Sequence, residues 1–238
     1  MKKFYSIGGG ELKERTTLKL DSIIAEEATL HAGDKRPYAL FIPTASHDHM
    51  PYYNTFHKVY TGVFNLKTDV VLTCGREIDL EKIKQKFLKA DLIYIGGGDT
   101  IFLRDELKRT GILEFLIDAY QRGVVIAGLS AGAILFFEDI YTDSVKDNNE
   151  GPYALAKGLG IFKGLISPHY NQRKTDFDNI ILSSSSYIHA LGIEDNAMVK
   201  ILDGRIESSY SSLGGNAYYI DKEGNKLNKT IIEPCIEL

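Results

Sequence analysis

The sequence predicts an α/β fold: three layers, with a mostly parallel sheet covered by helices on both faces, and a C-terminal β section. Three observations carry this. Strand-like and helix-like segments alternate from residue 4 to about residue 137. The strand-like segments are continuous apolar runs, the pattern of strands buried on both faces beneath helices. The chain has 238 residues and no repeat, low-complexity tract or linker, so residues 1–238 are expected to form a single α/β domain with a sizeable core.

The elements follow in order. Phe4-Tyr5-Ser6-Ile7 reads as a short strand ending in Gly8-Gly9-Gly10, and Thr17 to His31 as a helix with Leu18, Leu20, Ile23, Ile24 and Ala28 at helical spacing. Tyr38 to Pro43 is a buried strand that ends in the polar loop Thr44-Ala45-Ser46-His47-Asp48-His49. A helix carrying Tyr53, Phe56, Val59, Tyr60 and Phe64 leads to a strand over Asp69 to Cys74. Asp79 can cap a helix from Leu80 to Leu88, because its carboxylate accepts a first-turn N–H. The strand Asp91 to Ile95 ends in Gly96-Gly97-Gly98-Asp99-Thr100, and Ile101-Phe102-Leu103 opens the next helix. A further helix, Leu113 to Arg122, precedes the apolar run Val124 to Ala127. Asp139 to Glu150, with Gly151-Pro152, reads as a loop or short hairpin, and Gly160 to Ile166 as an apolar run ending at Ser167-Pro168-His169. Asp176 to Ala190 reads as a helix with a serine run. From Gly192 the pattern turns β, with Asp203-Gly204 as a hairpin turn between Ala197–Leu202 and Arg205–Glu207. Ala217–Ile220 and Ile231-Ile232 continue it, and this section is expected to pack on the core, shape the pocket or make a homodimer contact.

Composition narrows the function classes. Hydrophobic residues make up 44% and charged residues 25% of the chain, as in ordinary soluble proteins. A net charge of −4 and the absence of a Lys/Arg block argue against nucleic acid or an anionic membrane as partner. The N-terminal apolar stretch is too short and glycine-broken for a signal peptide, and no run reaches membrane-spanning length. Cys74 and Cys235 match no metal spacing, which fits a reducing cytoplasm; no metal or organic cofactor is expected.

Gly128-Leu129-Ser130-Ala131-Gly132 fits G-x-S-x-G, in which a strand turns sharply into a helix and presents a serine at the apex. Glycines flank the serine because side chains there would collide with neighbouring backbone. A nucleophilic serine needs a base, and the base an orienting acid. Of six histidines, His31, His57 and His189 fall on expected helices, and His47 and His49 lie in a strand-end loop able to line a pocket. His169, at a strand terminus behind Pro168, is the strongest base candidate. Glu194 and Asp195 precede a β run and Asp143 follows the serine helix; chain order Ser, His, acid selects Glu194, whereas Ser, acid, His selects Asp143. The backbone N–H groups of Gly96-Gly97-Gly98 can supply one oxyanion donor and Ala131 N–H a second. That loop lacks the spacing and lysine of a phosphate loop.

Tyr94-Ile95-Gly96-Gly97-Gly98-Asp99-Thr100, Ala127 to Ala133 and Ser167-Pro168-His169-Tyr170, in this order, resemble peptidase family S51, which contains aspartyl dipeptidase (peptidase E) and cyanophycinase. The resemblance covers most of the chain and implies a class I glutamine amidotransferase-like (flavodoxin-like) fold and a serine peptidase acting on small peptides. It implies Ser130 as nucleophile, His169 as base, and Gly97 or Gly98 with Ala131 as oxyanion hole. It implies an acid at Glu194, narrowly preferred, or at Asp143. Where the family usually reads Gly-Gly-Gly-Asn this chain has Asp99, and in the stretch just after the histidine, Asn171 to Asp178, Arg173 is the one arginine. Arg173, Asp99 and His47 are the candidates for substrate contact. Two other readings share these residues: a serine esterase of the α/β-hydrolase type, disfavoured because no histidine follows His189, and a catalytically silent binding protein of the same fold.

Overall fold

The apolar runs become a block of five parallel strands. The computed structural model describes residues 1–75, 77–145 and 153–237. In chain order the first half contains β1 (Lys3–Ile7), α1 (Leu18–Ala32), β2 (Tyr38–Ile42), α2 (Met50–Gly62), β3 (Lys67–Val70), α3 (Leu80–Lys89), β4 (Leu92–Ile95), α4 (Thr100–Thr110), α5 (Ile112–Arg122), β5 (Val125–Leu129) and α6 (Ala131–Ile134). The second half contains β6 (Phe137–Thr142), β7 (Ala154–Lys157), β8 (Phe162–Ser167), α7 (Tyr170–Ser183), β9 (His189–Ile193), β10 (Ala197–Leu202), β11 (Arg205–Ser211), β12 (Ala217–Glu223), β13 (Lys226–Ile231) and β14 (Pro234–Glu237).

Strands β1, β5, β4, β2 and β3 lie side by side in that order, all parallel. Every residue of β4 and β5 is buried, because alternate side chains enter two different cores. Tyr5, Phe41, Tyr94 and Ala127 pack with Leu20 and Ile24 of α1 and Phe56 and Tyr60 of α2. Phe4, Leu40, Ile93 and Ile126 pack with Phe87 of α3, Leu103 of α4 and Leu116 of α5. The sheet is thus covered on both faces. Asp79 caps α3 through Lys82 N–H, as its position suggested.

The C-terminal β section is divided between two sheets. β10, β11 and β14 extend the parallel block beyond β1, giving the order β14-β11-β10-β1-β5-β4-β2-β3. The hairpin turn between β10 and β11 has positive φ at both Asp203 and Gly204, the geometry an Asp-Gly pair favours. β9, β12 and β13 join β8, β6 and β7 in a second sheet, ordered β13-β12-β9-β8-β6-β7. One face of this sheet, through Phe162, Ile166, Leu191 and Ile193, shares the core of α3, α4 and α5. Its other face holds Leu165, Ala190 and Ile220 against Tyr170, Phe177 and Ile181 of α7.

Several elements differ from the sequence expectation. β3 ends at Val70 rather than Cys74, because the Asp48 carboxylate accepts the N–H groups of Thr73 (2.6 Å) and Cys74 (2.7 Å) in place of a strand partner. The helix expected from Asp176 to Ala190 begins at Tyr170 and ends at Ser183. Tyr170, Arg173, Phe177 and Ile181 form its buried stripe, and the serine run beyond has nothing apolar to extend it. His189 therefore opens strand β9 instead of lying on a helix. Within the loop or hairpin expected from residue 139 onward, Phe137–Thr142 is a strand paired antiparallel with β7; residues 146–152 lie outside the described residues.

Candidate active site

Ser130 sits between β5 and α6 with φ +50° and ψ −107°, a conformation that costs a non-glycine residue roughly 1–3 kcal/mol. Its surroundings enforce this. Ser130 N–H donates to Ile7 O at 2.9 Å, fixing the turn to β1. A methyl group on Gly128 would overlap the Gly132 carbonyl, and one on Gly132 would overlap the Ile95 carbonyl. Both glycines of the motif are thus required by close backbone approach.

His169 follows β8 and caps α7 in the left-handed region, with φ +48°. Its N–H donates to Gly8 O at 3.0 Å. Its Nε2 lies 2.9 Å from Ser130 Oγ and its Nδ1 lies 2.6 Å from Asp195 Oδ1. Asp195 stands in the loop between β9 and β10. Because β8 and β9 are parallel, with Ser167 opposite Gly192, the loops at their carboxyl ends emerge together. Asn171 Nδ2 (3.0 Å) and Gln172 Nε2 (2.7 Å) donate to Asp195 Oδ2, and Asp195 N–H donates to Asn171 Oδ1 at 3.1 Å. Burial pushes the Asp195 carboxyl up, but the hydrogen bonds from His169 and Asn171, the charge of His169 and the amide of Gln172 together outweigh it and hold the group at about 2. An ionised carboxylate only accepts, so Nδ1 of a neutral His169 carries the proton and Nε2 is left to accept from Ser130.

The acid beside His169 is therefore neither Glu194, the preferred expectation, nor Asp143. Glu194 turns away and accepts Asn216 N–H at 3.0 Å, while Asp195 turns towards His169. Asp143 is exposed and lies 3.5 Å from Arg173. Asp195 was visible as an acid next to a β run, but nothing in the composition distinguishes it from its neighbour.

The expected substrate residues are not gathered here. Arg173 is 5% exposed; its Nη1 donates to Tyr141 O at 3.0 Å and its guanidinium lies over the Tyr153 ring. Burial lowers the pKa of Arg173. Asp99 caps α4 by accepting Phe102 N–H at 2.9 Å. His47 packs its ring on Phe102, with centroids 4.1 Å apart. Gly97 does adjoin Ser130: a methyl on it would lie 3.5 Å from Ser130 Cβ. Its N–H, however, already donates to the Tyr52 hydroxyl at 3.2 Å, so it is not a vacant oxyanion donor. Gly98 has φ +137° and a methyl there would overlap the Ala45 carbonyl. Ala131 is the first residue of α6.

Ser130 and His169 open into a cavity of about 520 Å³ that also includes Glu11, Lys13, His49, Tyr52, Gly97 and Gly98. Arg173, Asp99 and His47 are not among its walls. The sequence reading missed Gly9, Tyr52, Asn171 and Gln172. Gly9 had a visible sign, the glycine triplet after β1: a methyl there would overlap both Asp195 Oδ1 and His169 Nδ1. A cleft of about 600 Å³ on the second sheet, beside Tyr187 and His189, contains none of these residues. Among the described residues no group of three or more His, Cys, Asp or Glu is arranged to hold a metal ion, and no helix is long and apolar enough to cross a membrane.

Comparison with known proteins agrees in kind. Residues 5–209 match the sequence model of peptidase family S51. The chain is 30% identical over 223 residues to the uncharacterized peptidase YgaJ of Bacillus subtilis (strain 168), which covers 92% of this chain and 91% of that one. It is 32% identical over 85 residues to peptidase E of Salmonella arizonae, 34% of this chain and 35% of that one. A peptidase from an acI-B1 Actinobacterium superposes with a TM-score of 0.73 at 18% identity, covering 100% of this chain and 97% of that one. A putative peptidase E protein from Listeria monocytogenes EGD-e does so with a TM-score of 0.58 at 20% identity, covering 98% and 100%. The fold is class I glutamine amidotransferase-like.

Proposed function

Because the chain belongs to peptidase family S51, a family of hydrolases, we propose that it is a serine peptidase acting on small peptides, with Ser130, His169 and Asp195 as its catalytic triad. The observation that carries this reading is the continuous hydrogen-bonded line from Ser130 Oγ through both nitrogens of His169 to Asp195.

The chemistry follows from the geometry. His169 Nε2 takes the hydroxyl proton as Ser130 Oγ attacks the peptide carbonyl. Asp195 stabilises the imidazolium that forms and holds the ring in place. The tetrahedral intermediate collapses when His169 returns the proton to the leaving amine, leaving an acyl-enzyme. Water, activated by the same nitrogen, then releases the acid. Backbone N–H groups of Ala131 and Gly98 are the donors proposed for the oxyanion.

A cavity of about 520 Å³ is of the size that encloses a small ligand, which favours dipeptide or exopeptidase-like cleavage. Among the described residues lining it, Lys13 is the one lysine or arginine. With Arg173 buried elsewhere, Lys13 is the cation proposed to meet a substrate carboxylate, and Glu11 the group proposed to meet a free amine. The test is a fluorophosphonate probe with mass-spectrometric mapping of the adduct, followed by a dipeptide and tripeptide library, with Ser130→Ala as control. Labelling at Ser130 and peptide release lost in Ser130→Ala are expected. Folded wild-type protein that leaves Ser130 unlabelled overturns the assignment.

A further inference from the structure

Tyr52 is fixed in place against the glycine triplet after β4. Its ring meets Phe41 edge-on, with centroids 5.0 Å apart. A methyl group at Gly96 would lie 2.8 Å from Tyr52 Cε1, so the absent side chain at Gly96 makes room for the phenol. The hydroxyl accepts Gly97 N–H at 3.2 Å. A phenol has one proton to donate as well as lone pairs to accept with. Gly97 N–H uses an acceptor site, and among the described residues nothing accepts the Tyr52 proton. Burial pushes the pKa of this phenol above its ordinary value, so the proton stays on the oxygen. The phenol lines the same cavity as Ser130 and His169. Gly97 ties the two sides together: its Cα faces Ser130 and its N–H holds the Tyr52 oxygen.

We propose that Tyr52 is a catalytic residue that donates its O–H to the substrate carbonyl oxygen as that oxygen becomes an oxyanion. The assignment rests on the serine-peptidase reading above. In the step concerned, the Ser130 Oγ–carbon bond forms, the carbonyl π pair moves onto oxygen, and the serine proton moves to His169 Nε2. Tyr52 keeps its proton and supplies a hydrogen bond that strengthens as charge develops. Gly97 N–H positions the phenol oxygen rather than binding the oxyanion itself. The donor is a neutral side chain on α2, added to the backbone donors proposed at Ala131 and Gly98.

Tyr52→Phe keeps the ring and removes only the donor. Two rates and one affinity are compared: fluorophosphonate labelling of Ser130, peptide turnover, and binding of a peptide aldehyde that forms a tetrahedral adduct. Loss of one oxyanion donor lowers the first two by roughly 10²–10³-fold. The expected signature is a fall in kcat with KM little changed, and aldehyde affinity falling in step with kcat/KM. Replacing Tyr52 with 3,5-difluorotyrosine, a more acidic phenol of nearly the same shape, is expected to speed labelling. Labelling of Tyr52→Phe close to the wild-type rate overturns the proposal. So does an equal weakening of aldehyde and unreactive peptide binding, or no response to the fluorinated phenol, since either marks a structural hydroxyl. Failure of the reading beneath it looks different: wild-type Ser130 itself is then unlabelled in folded protein.

Discussion

Replacing Asp195 with Asn separates the proposed triad from its alternatives. The carboxylate takes His169 Nδ1–H on one oxygen and the amides of Asn171 and Gln172 on the other. An asparagine amide has one acceptor end and one donor end. Either the donor end meets Asn171 and Gln172, which are donors too, or it meets His169. In the second case His169 adopts the tautomer with hydrogen on Nε2, which cannot take the Ser130 proton. Lowering the carboxyl to about 2 corresponds to roughly 2 kcal/mol in favour of the ionised form, at about 1.4 kcal/mol per pH unit. The wrong tautomer in such a triad costs on the order of 10⁴ in kcat, so Asp195→Asn is expected to slow turnover and Ser130 labelling by roughly 10³–10⁴-fold. Glu194→Gln, which still offers Asn216 an acceptor, is expected to stay within about threefold of wild type, corresponding to well under 1 kcal/mol. The same contact has a stability signature. The folded-state value is depressed, so the stabilisation is complete above the ordinary carboxyl range and is lost as pH falls through about 2. Between pH 5 and pH 2, urea titrations should show wild type losing roughly 2 kcal/mol more than Asp195→Asn. Normal labelling of Asp195→Asn, or its loss in Glu194→Gln, would refute the reasoning.

Two further outcomes follow from strain and burial. Ser130→Gly relieves a positive φ that Ser130→Ala retains, so the glycine variant should be the more stable of the two inactive proteins by about 1 kcal/mol in urea unfolding. Asp21 is fully buried with Thr17 and Tyr60 donating to it, and burial, only partly offset by those hydrogen bonds, raises its carboxyl to about 7. A raised carboxyl makes the native state lose stability as pH rises from the ordinary carboxyl range to about 7, by up to roughly 4 kcal/mol; Asp21→Asn should therefore gain on wild type between pH 4 and pH 8, and an unchanged difference would count against that ionisation.

What was legible in the sequence is what depends on local pattern. Val124 to Leu135 shows both the buried strand and the glycine spacing that the Ser130 turn requires, and Pro168-His169 shows a strand end. What was not legible depends on which way a side chain turns at an irregular corner, or on partners far away in sequence. Glu194 and Asp195 are adjacent acids; Glu194 is drawn to Asn216 just beyond the β9–β12 pairing, whereas Asn171 and Gln172, from α7, hold Asp195 beside His169. Arg173 reads as a cation free to bind substrate, but its place on the buried stripe of α7 puts it beneath Tyr141 and Tyr153. Asp99 reads as a departure in a ligand loop, yet its carboxylate does what an asparagine also does at a helix start. The second sheet was missed because β6 pairs in parallel with β8, a contact no short window contains.

The order of the main sheet explains why glycine triplets occur twice. β5 lies between β1 and β4, so the loops that follow these two strands flank Ser130. On the β1 side, Gly8 O receives His169 N–H and Gly9 leaves room for the His169–Asp195 contact. On the β4 side, Gly96 admits the Tyr52 ring and Gly97 meets both Ser130 and the Tyr52 hydroxyl. A side chain at Gly9 would force the imidazole and carboxylate apart, and one at Gly96 would expel the phenol. In the second triplet, which in the sequence suggests an anion-binding nest, Gly96 and Gly97 seat an aromatic hydroxyl in the structure. In the proposed mechanism the two triplets thus place the proton acceptor, His169, on one flank of the serine and a hydrogen-bond donor, Tyr52, on the other, the arrangement that attack on a carbonyl requires.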